Sequence, residues 1–425
     1  MIVIVIGAGM GGLTAALSLH AAGIDVRVYE SAADIKALGL GINLQPNAVR
    51  ELVELGVGDA LARSAIETAE LAYYNRHGQR IWSEPRGLAA GYAWPQYAID
   101  RGDLQMILLD AVRRRIGAEN VVTGHHLVSF EQDGSGVTAH FIDRGSGQRL
   151  GPQRGDVLLG CDGIHSAVRA QLYPDEGPPL SSGRIQWRGA QEAEPFLDGR
   201  THVNIGFVGR QAVVYPIGRK AADRGRSRIN WVAALGRQFP LAGRPPADRR
   251  ASKDRFFAHF DTWNFGWIGF ADLVCRTGEI YEYPEEDRDP LPRWSFGRVT
   301  LLGDAAHPMR PTGAQAGSQA IVDARVLAFA LARAPTLEQA LEQYDEQRRP
   351  SMNAVTLRNR DCGPGIVLEL AEQRAPDGFQ RIEDVISRRE LEDISLAYKV
   401  DAGFDPATLN QRQSFTVRRA VGVAG

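Results

Sequence analysis

Residues 2–30, IVIVIGAGMGGLTAALSLHAAGIDVRVYE, decide the fold. A β-branched run ends in Gly7-Ala8-Gly9-Met10-Gly11-Gly12, Leu and Ala then recur at helical spacing, and Val26 and Val28 alternate before Glu30. That order predicts strand, glycine turn, helix and strand, one βαβ unit. In such a unit Gly7 permits the tight turn, Gly9 lets backbone approach a pyrophosphate, and Gly12 lets helix and strand pack closely. The pyrophosphate would sit at the helix N-terminus, where free N–H groups and the helix dipole favour an anion. Glu30, 18 residues past Gly12, is placed to accept a hydrogen bond from a ribose hydroxyl. A glycine triplet alone marks any tight turn; strand, triplet, helix, strand and acid in this order point to dinucleotide binding, without separating FAD from NAD.

Working outward, NLQPNAVRELVELGVGDALA and DRGDLQMILLDAVRRRIG carry apolar positions at helical spacing. From about residue 121 short β-like runs follow: VVTGHHLVSFEQ, GVTAHFID and DVLLGCDG. Residues 180–294 are richer in aromatics and strand patterns (RIQWRGAQEA, HVNIGFVG, AVVYPIGR, RINWVAAL), interrupted by a basic, Pro/Gly-rich loop around 236–250. RVTLLGDAAHPM predicts a strand entering a turn, continued by the small-residue helix AQAGSQAIVDARVLAFALARA. Two further helical segments are expected, TLEQALEQYDEQRRP and 351–360; beyond Cys362 the pattern is charged and weakly periodic. The expected architecture is α/β. A Rossmann-like domain takes residues 1–75, 100–180 and 295–360, an inserted mixed β-sheet substrate domain takes 76–99 and 181–294, and a C-terminal helical extension takes 361–425.

At 425 residues the chain is long enough for two cores. Forty-nine Lys and Arg against 51 Asp and Glu give a net charge of −2, with no basic cluster suited to nucleic acid or an anionic membrane. Cys161, Cys275 and Cys362 are isolated and odd in number, which argues against a disulfide framework or a CxxC site and fits a reducing cytosol. The apolar run Met1 to Ile6 is too short for a signal-peptide core. No stretch approaches the ~18–20 apolar residues of a membrane span.

Two acids stand at strand ends. Asp304, in Leu301-Leu302-Gly303-Asp304-Ala305-Ala306-His307, is placed to hold a polyol chain, or else simply makes a turn. Asp162-Gly163, in GCDGIHSAVRAQL, leads into a helix with Arg169 one turn inside, and an Asp cap with a structural arginine accounts for it equally well. The nine histidines are scattered. Neighbouring His125 and His126 would point to opposite faces of a strand, and His307 is expected to be positional, so no metal site is expected.

Together, GAGMGGL with Glu30, CDGIHSAVR and LLGDAAHPMRP resemble the three fingerprints of the class A flavoprotein monooxygenases of para-hydroxybenzoate hydroxylase type, over residues 1 to about 360. GLGINLQPNAV, WSEPRG, RGDLQMIL, QWRG and YPEEDRDPLPRW resemble more narrowly the phenazine hydroxylases. The resemblance implies a GR2-type FAD-binding fold, bound FAD, NADPH or NADH as a transient cosubstrate, and O2. It implies that Gly7, Gly9, Met10, Gly11, Gly12 and Glu30 hold the ADP half of FAD and that Arg101 reaches the cofactor. Gly41 and Ile42 would line the isoalloxazine, Asp162 would serve FAD and nicotinamide binding, and Asp304 the ribitol. Pro311 and Gly313 are the candidate catalytic positions, beside the ring edge where oxygen reacts, with Ala314 next to them. The family writes P-x-x-G-Q-G here, whereas this chain has Pro311-Thr312-Gly313-Ala314-Gln315-Ala316-Gly317. Alanines replace glycines at 314 and 316, and a methyl where backbone meets flavin crowds the ring or shifts it.

The implied reaction reduces FAD with NAD(P)H, forms a C4a-hydroperoxide with oxygen, and hydroxylates an aromatic or N-heteroaromatic small molecule, with or without loss of a carboxylate. With a single dinucleotide fingerprint, the nicotinamide visits without a domain of its own. Substrate contacts are sought among the aromatic-rich strands at Trp187, Arg188, Tyr215 and Trp231, with Tyr73 and Trp94 before them. A dehydrogenase or epoxidase on the same fold and a non-catalytic flavin-binding protein are the alternatives. Oxygen uptake separates the first, and flavin reduction by nicotinamide the second. Monomer and homodimer are both compatible with the sequence.

Overall fold

The computed structural model describes residues 1–37, 39–219, 224–239, 241 and 249–417. Its first sheet has six strands in the order Ser295–Phe296, Val299–Leu301, Val157–Gly160, Ile2–Ile6, Asp25–Tyr29, Val121–Val122. All neighbours are parallel except the antiparallel outer pair at residues 295–301. Val3, Ile4 and Val5 are fully buried, because a central parallel strand is covered on both faces and reads as one apolar run. The helices Met10–Ala21, Arg101–Ile116 and Ala316–Arg333 pack together beside this sheet.

The second sheet has seven strands: Tyr281–Asp287, Leu180–Ala193, Ser227–Leu235, Arg210–Gly218, Thr201–Phe207, Glu70–Tyr74 and Arg80–Pro85. Glu70–Tyr74 pairs in parallel with Thr201–Phe207, so the excursion out of the first domain begins before residue 76. Side chains alternate across this sheet. Trp187, Trp231, Ala72 and Tyr74 share an aromatic core with Phe256, Phe260, Trp263 and Phe270, while Leu71, Tyr73 and Tyr215 point the other way. A small antiparallel sheet of Gly41–Leu44, Gln96–Asp100 and Ile66–Thr68 joins the two halves. Most of the basic loop expected near 236–250, at 240 and 242–248, lies outside the described residues.

One helix, Leu337–Arg360, runs where two segments were expected, with Pro350 inside it. An interior proline costs about 3 kcal/mol. Tyr344 before it and Met352 and Val355 after it are fully buried, and that packing carries the helix through. Beyond Cys362, helices Ile366–Arg374 and Arg388–Asp401 lay Val367, Leu368, Ala371 and Leu391 on Leu71, Tyr73 and Ile81 of the second sheet. The last described segment returns to the first domain. Arg50 donates to the carbonyls of Leu409 (3.0 Å) and Arg412 (2.7 Å), and Glu51 pairs with both Arg325 and Arg412. Among the described residues no helix is long and apolar enough to cross a membrane.

Candidate active site

The strands Ile2–Ile6, Val157–Gly160 and Val299–Leu301 end side by side, at the carboxyl edge where open α/β sheets bind ligands. Three turns meet there: Gly7–Gly12, Cys161–Asp162 and Gly303–Asp304. Gly7 has φ +103°, and a Cβ on Gly12 would stand 2.0 Å from the Gly7 carbonyl oxygen. A Cβ on Gly9 would meet nothing within 4 Å, so the turn is closed on its inner side and open at Gly9. The helix starting at Met10 has no side-chain cap and no acid in its first turn, which leaves its N–H groups available. Glu30 accepts from the amides of Ala8 and Ala32, each at 2.8 Å, and so ties the second strand's end to the glycine turn.

Asp162 accepts from Ser166 Oγ (2.5 Å) and from the amides of Ala167 (2.7 Å) and Val168 (3.3 Å). Burial pushes its carboxyl above the usual range against these bonds. Arg169 pairs with Glu176 and donates to the carbonyls of Ala305 (3.1 Å) and Ala306 (2.9 Å), so it locks this turn to the next. Asp162 is thus not the N-cap, which is Ser166, but it accepts from the first two amides of the Ala167–Leu172 helix and stands at the cleft as well.

Asp304 is open to solvent and accepts no hydrogen bond among the described residues. The surrounding protein raises its carboxyl, while His307 and Arg101 act in the opposite sense. The Arg101 side chain is also exposed and makes no hydrogen bond or ion pair among the described residues. An unpartnered acid and an unpartnered guanidinium therefore share one cleft.

Behind Asp304, His307 Nε2 lies 2.6 Å from Asp323 Oδ2, and Arg348 Nε donates to Asp323 Oδ1 at 2.6 Å. Burial alone would raise the Asp323 carboxyl; Arg348 and His307 outweigh it and hold it below the usual carboxylate range. A lowered folded value means the pair's stabilisation is complete above the unfolded carboxylate pKa of about 3.9 and is lost as pH falls through the folded value. Asp323→Asn is expected to cost about 3–5 kcal/mol in urea unfolding at neutral pH, since it strands Arg348 as a buried charge.

The Pro311–Gln315 turn leads into the Ala316–Arg333 helix, whose first turn passes next to Met10 and Ile42: a Cβ on Gly317 would stand 2.8 Å from Ile42 Cδ1 and 3.3 Å from Met10 Cε. Gly313 has φ +78°, and Ala314, where the family has glycine, has φ +52°. A left-handed L-residue costs roughly 1–2 kcal/mol, and glycine's extra unfolded freedom returns about 0.5–1 kcal/mol of that. Ala314→Gly is therefore expected to stabilise the apoprotein by up to about 1.5 kcal/mol, read as a raised midpoint in urea.

Across the cleft, the Gly41 amide donates to Asn230 Oδ1 at 2.7 Å, and a Cβ on Gly41 would meet Tyr215 Cε2 at 2.7 Å. Asn230 keeps its amide nitrogen buried without a partner among the described residues. His202 stacks on Tyr215 with ring centroids 4.6 Å apart and planes at 9°. Burial, helped by Arg86, lowers its pKa to about 3, so the imidazole is neutral. On the same sheet face Arg188 donates to Gln186 Oε1 (2.7 Å) and lies 5.7 Å from the Tyr283 ring centroid. No acid lies within ion-pair distance of it among the described residues. Burial lowers its pKa, with Arg101 lowering it further and Tyr215, Tyr283 and the more distant Glu285 raising it.

The other aromatic candidates lie elsewhere. Trp231 is on the opposite face, donating to Thr277 Oγ1 (2.8 Å), and Trp187 beside it donates to Glu282 and stacks on Phe256. Alternation along the strand puts both behind the sheet. Trp94 lies under the Arg50 guanidinium at 4.8 Å, and Tyr73 is buried beneath the Ile366–Arg374 helix. Asn230 and His202 were not singled out from the sequence. The first is a lone amide inside the apolar run RINWVAAL; the second has no local signal, since only strand pairing sets it on Tyr215.

A family model described as an FAD binding domain matches residues 1–187 and 285–359. The chain belongs to that family. The family match pauses over residues 188–284, which hold much of the second sheet though not its strands at 70–74 and 80–85, and stops before the helices Ile366–Arg374 and Arg388–Asp401. The chain is 45% identical over 362 residues to the phenazine 1,6-dicarboxylic acid hydroxylase PhzS of Lysobacter antibioticus, covering 84% of this chain and 89% of that one. It is 32% identical over 354 residues to 3-hydroxybenzoate 6-hydroxylase 1 of Aquipseudomonas alcaligenes, covering 81% and 84%. The crystal structure of Klebsiella pneumoniae HpxO complexed with FAD and uric acid superposes with a TM-score of 0.73 at 26% identity, over 93% of this chain and 97% of that one.

Proposed function

We propose that this chain is an FAD-dependent monooxygenase that uses NAD(P)H and O2 to hydroxylate a small aromatic or N-heteroaromatic ring bearing a carboxylate. The observation that carries the carboxylate is Arg188, a half-buried guanidinium with no acid within ion-pair distance among the described residues, on the sheet face that Gly41 meets through Tyr215 and Asn230.

Three features fit FAD: the open position at Gly9 before an uncapped helix, the unpartnered Asp304 and Arg101 in one cleft, and Gly41 closing on the second sheet. FAD, when bound, supplies hydride acceptance from NAD(P)H and the activation of oxygen for transfer to an electron-rich ring. In this proposal Gly7, Gly9, Met10, Gly11 and Gly12 shape the pyrophosphate seat, and Glu30 adds a ribose hydroxyl to the two amides it already accepts. Asp304 accepts from the ribitol, Arg101 offsets phosphate charge, and Asp162 holds the neighbouring turn. Gly41, Ile42, Pro311, Gly313 and Ala314 wall the ring. The helix Ala316–Arg333, which has no acid in its first turn, offers its N-terminus to negative charge at the ring's pyrimidine end. Tyr215, His202 and Asn230 form the substrate wall and exclude water, while Arg188 fixes the carboxylate bidentately. The FAD domain would comprise the first sheet with its helices and the substrate domain the second sheet. Free Cys161, Cys275 and Cys362 support a reducing compartment.

The test is NADPH and NADH oxidation, oxygen uptake and product mass on the yellow protein, offered phenazine carboxylates, hydroxybenzoates and their carboxylate-free analogues. A product gaining one oxygen atom, with carboxylated rings preferred, is expected. NAD(P)H consumption without oxygen uptake would make it a dehydrogenase, and a flavin that no nicotinamide reduces would make it a binding protein.

A further inference from the structure

The Pro311–Ala314 turn is held from behind by residues of the two long C-terminal helices. Asn359 Nδ2, at the end of Leu337–Arg360, donates to the Arg310 carbonyl at 3.0 Å. Tyr398, on Arg388–Asp401, shares its hydroxyl proton between Asn359 Oδ1 at 2.9 Å and the Thr312 carbonyl at 3.2 Å. The carbonyls on both sides of Pro311 are thus pinned by one linked pair of side chains. Tyr398 and Asn359 are 2% and 1% exposed, so neither hydroxyl nor amide exchanges freely with water. The fit is close: a Cβ on Gly313 would stand 2.0 Å from the Tyr398 hydroxyl oxygen, so at Gly313 the turn lies flush against the tyrosine. The next residue, Ala314, sits at φ +52°, a conformation that an alanine holds only where its surroundings impose it. The family match ends at residue 359, so the Tyr398 half of this clamp belongs to the C-terminal extension.

We propose that Tyr398 is a positioning residue for the flavin ring, and that through it the C-terminal helix sets how tightly NAD(P)H oxidation is coupled to hydroxylation. This rests on the assignment of the Pro311–Ala314 turn to the ring edge. A loosened turn lets the reduced ring sit away from the substrate. The two electrons and two protons then pass to oxygen alone, and NADPH, H+ and O2 become NADP+ and H2O2 with no bond made to the aromatic ring.

The experiment compares holoenzyme with Tyr398→Phe, which deletes only the hydroxyl, and Asn359→Ser, which shortens the other arm and leaves Tyr398 intact. Three quantities are read: hydrogen peroxide released per NADPH oxidised with substrate present, the visible circular dichroism of the oxidised flavin, and the unfolding midpoint. Either variant is expected to raise the peroxide fraction at least threefold and to alter the flavin dichroism, with substrate KM changed less than threefold. A purely structural tyrosine would lower the midpoint and leave the peroxide fraction and the dichroism of the folded holoenzyme at wild-type values; that result overturns the proposal. The oxidised-flavin dichroism needs no turnover, so it judges Tyr398 even if no substrate is hydroxylated and the wider assignment falls.

Discussion

Gly9→Ala is expected to leave the apoprotein as stable as the parent and to weaken its hold on FAD. Gly9 has φ −75° and ψ −175°, which alanine adopts without strain, and its Cβ would meet no protein atom within 4 Å. Without a clash the change in unfolding free energy should stay within about 0.5 kcal/mol. The methyl instead fills the position at which a pyrophosphate must approach the Met10–Ala21 helix start. Loss of charge-assisted hydrogen bonds worth about 1.5–3 kcal/mol weakens FAD roughly 10- to 150-fold. Gly12→Ala makes the informative contrast. Its Cβ would fall 2.0 Å from the Gly7 carbonyl oxygen, a backbone atom that cannot swing aside, so both apoprotein stability and FAD binding should drop. Fluorescence titration of each apoprotein with FAD, beside urea unfolding, separates the two. A Gly9→Ala apoprotein that titrates with FAD as tightly as the parent would mean the pyrophosphate lies elsewhere.

Arg188→Met is expected to raise KM for carboxylated rings by about 10- to 150-fold, the equivalent of one charge-assisted contact of about 1.5–3 kcal/mol, and to leave carboxylate-free analogues unchanged. The free protein should gain stability, because burial disfavours the Arg188 charge more than Tyr215, Tyr283 and the more distant Glu285 favour it, and no acid lies within ion-pair distance among the described residues. A substitution that weakens substrate binding while strengthening the fold is the mark of a charge kept for a ligand. Steady-state kinetics on matched substrate pairs and urea unfolding give both halves. Equal losses on both substrate classes would remove Arg188 from carboxylate recognition.

Much of this was legible because the decisive signals are local. The glycine turn with Glu30, the Cys161–Asp162 turn and the Gly303–Asp304 turn are each written in a few consecutive residues, and their strands lie next to one another in the sheet. What escaped is set by long-range pairing. Trp187, Arg188, Tyr215 and Trp231 share a composition, yet register sends Arg188 and Tyr215 toward Gly41 and both tryptophans behind the sheet. Glu70–Tyr74 carries no mark that it joins a strand more than a hundred residues away. The helices beyond Cys362 looked weakly periodic because each contributes only a few apolar side chains to a surface that the sheet completes. Pro350 suggested a helix boundary on local grounds, and buried neighbours on either side overrode it.

The strand order of the first sheet also has a consequence for biosynthesis. Val157–Gly160 gains its outer neighbour, Val299–Leu301, only after about 140 more residues have been made, which at ordinary translation rates takes roughly ten seconds. Through that interval the growing chain presents an unpaired apolar strand edge, the kind of surface that nascent-chain chaperones cover and that otherwise seeds aggregation. Nor would the cofactor relieve the exposure early, since Asp304, the acid proposed to hold it, lies beyond the missing strand. Late acquisition of the yellow colour, after the Val299–Leu301 strand has joined the sheet, is the expected result.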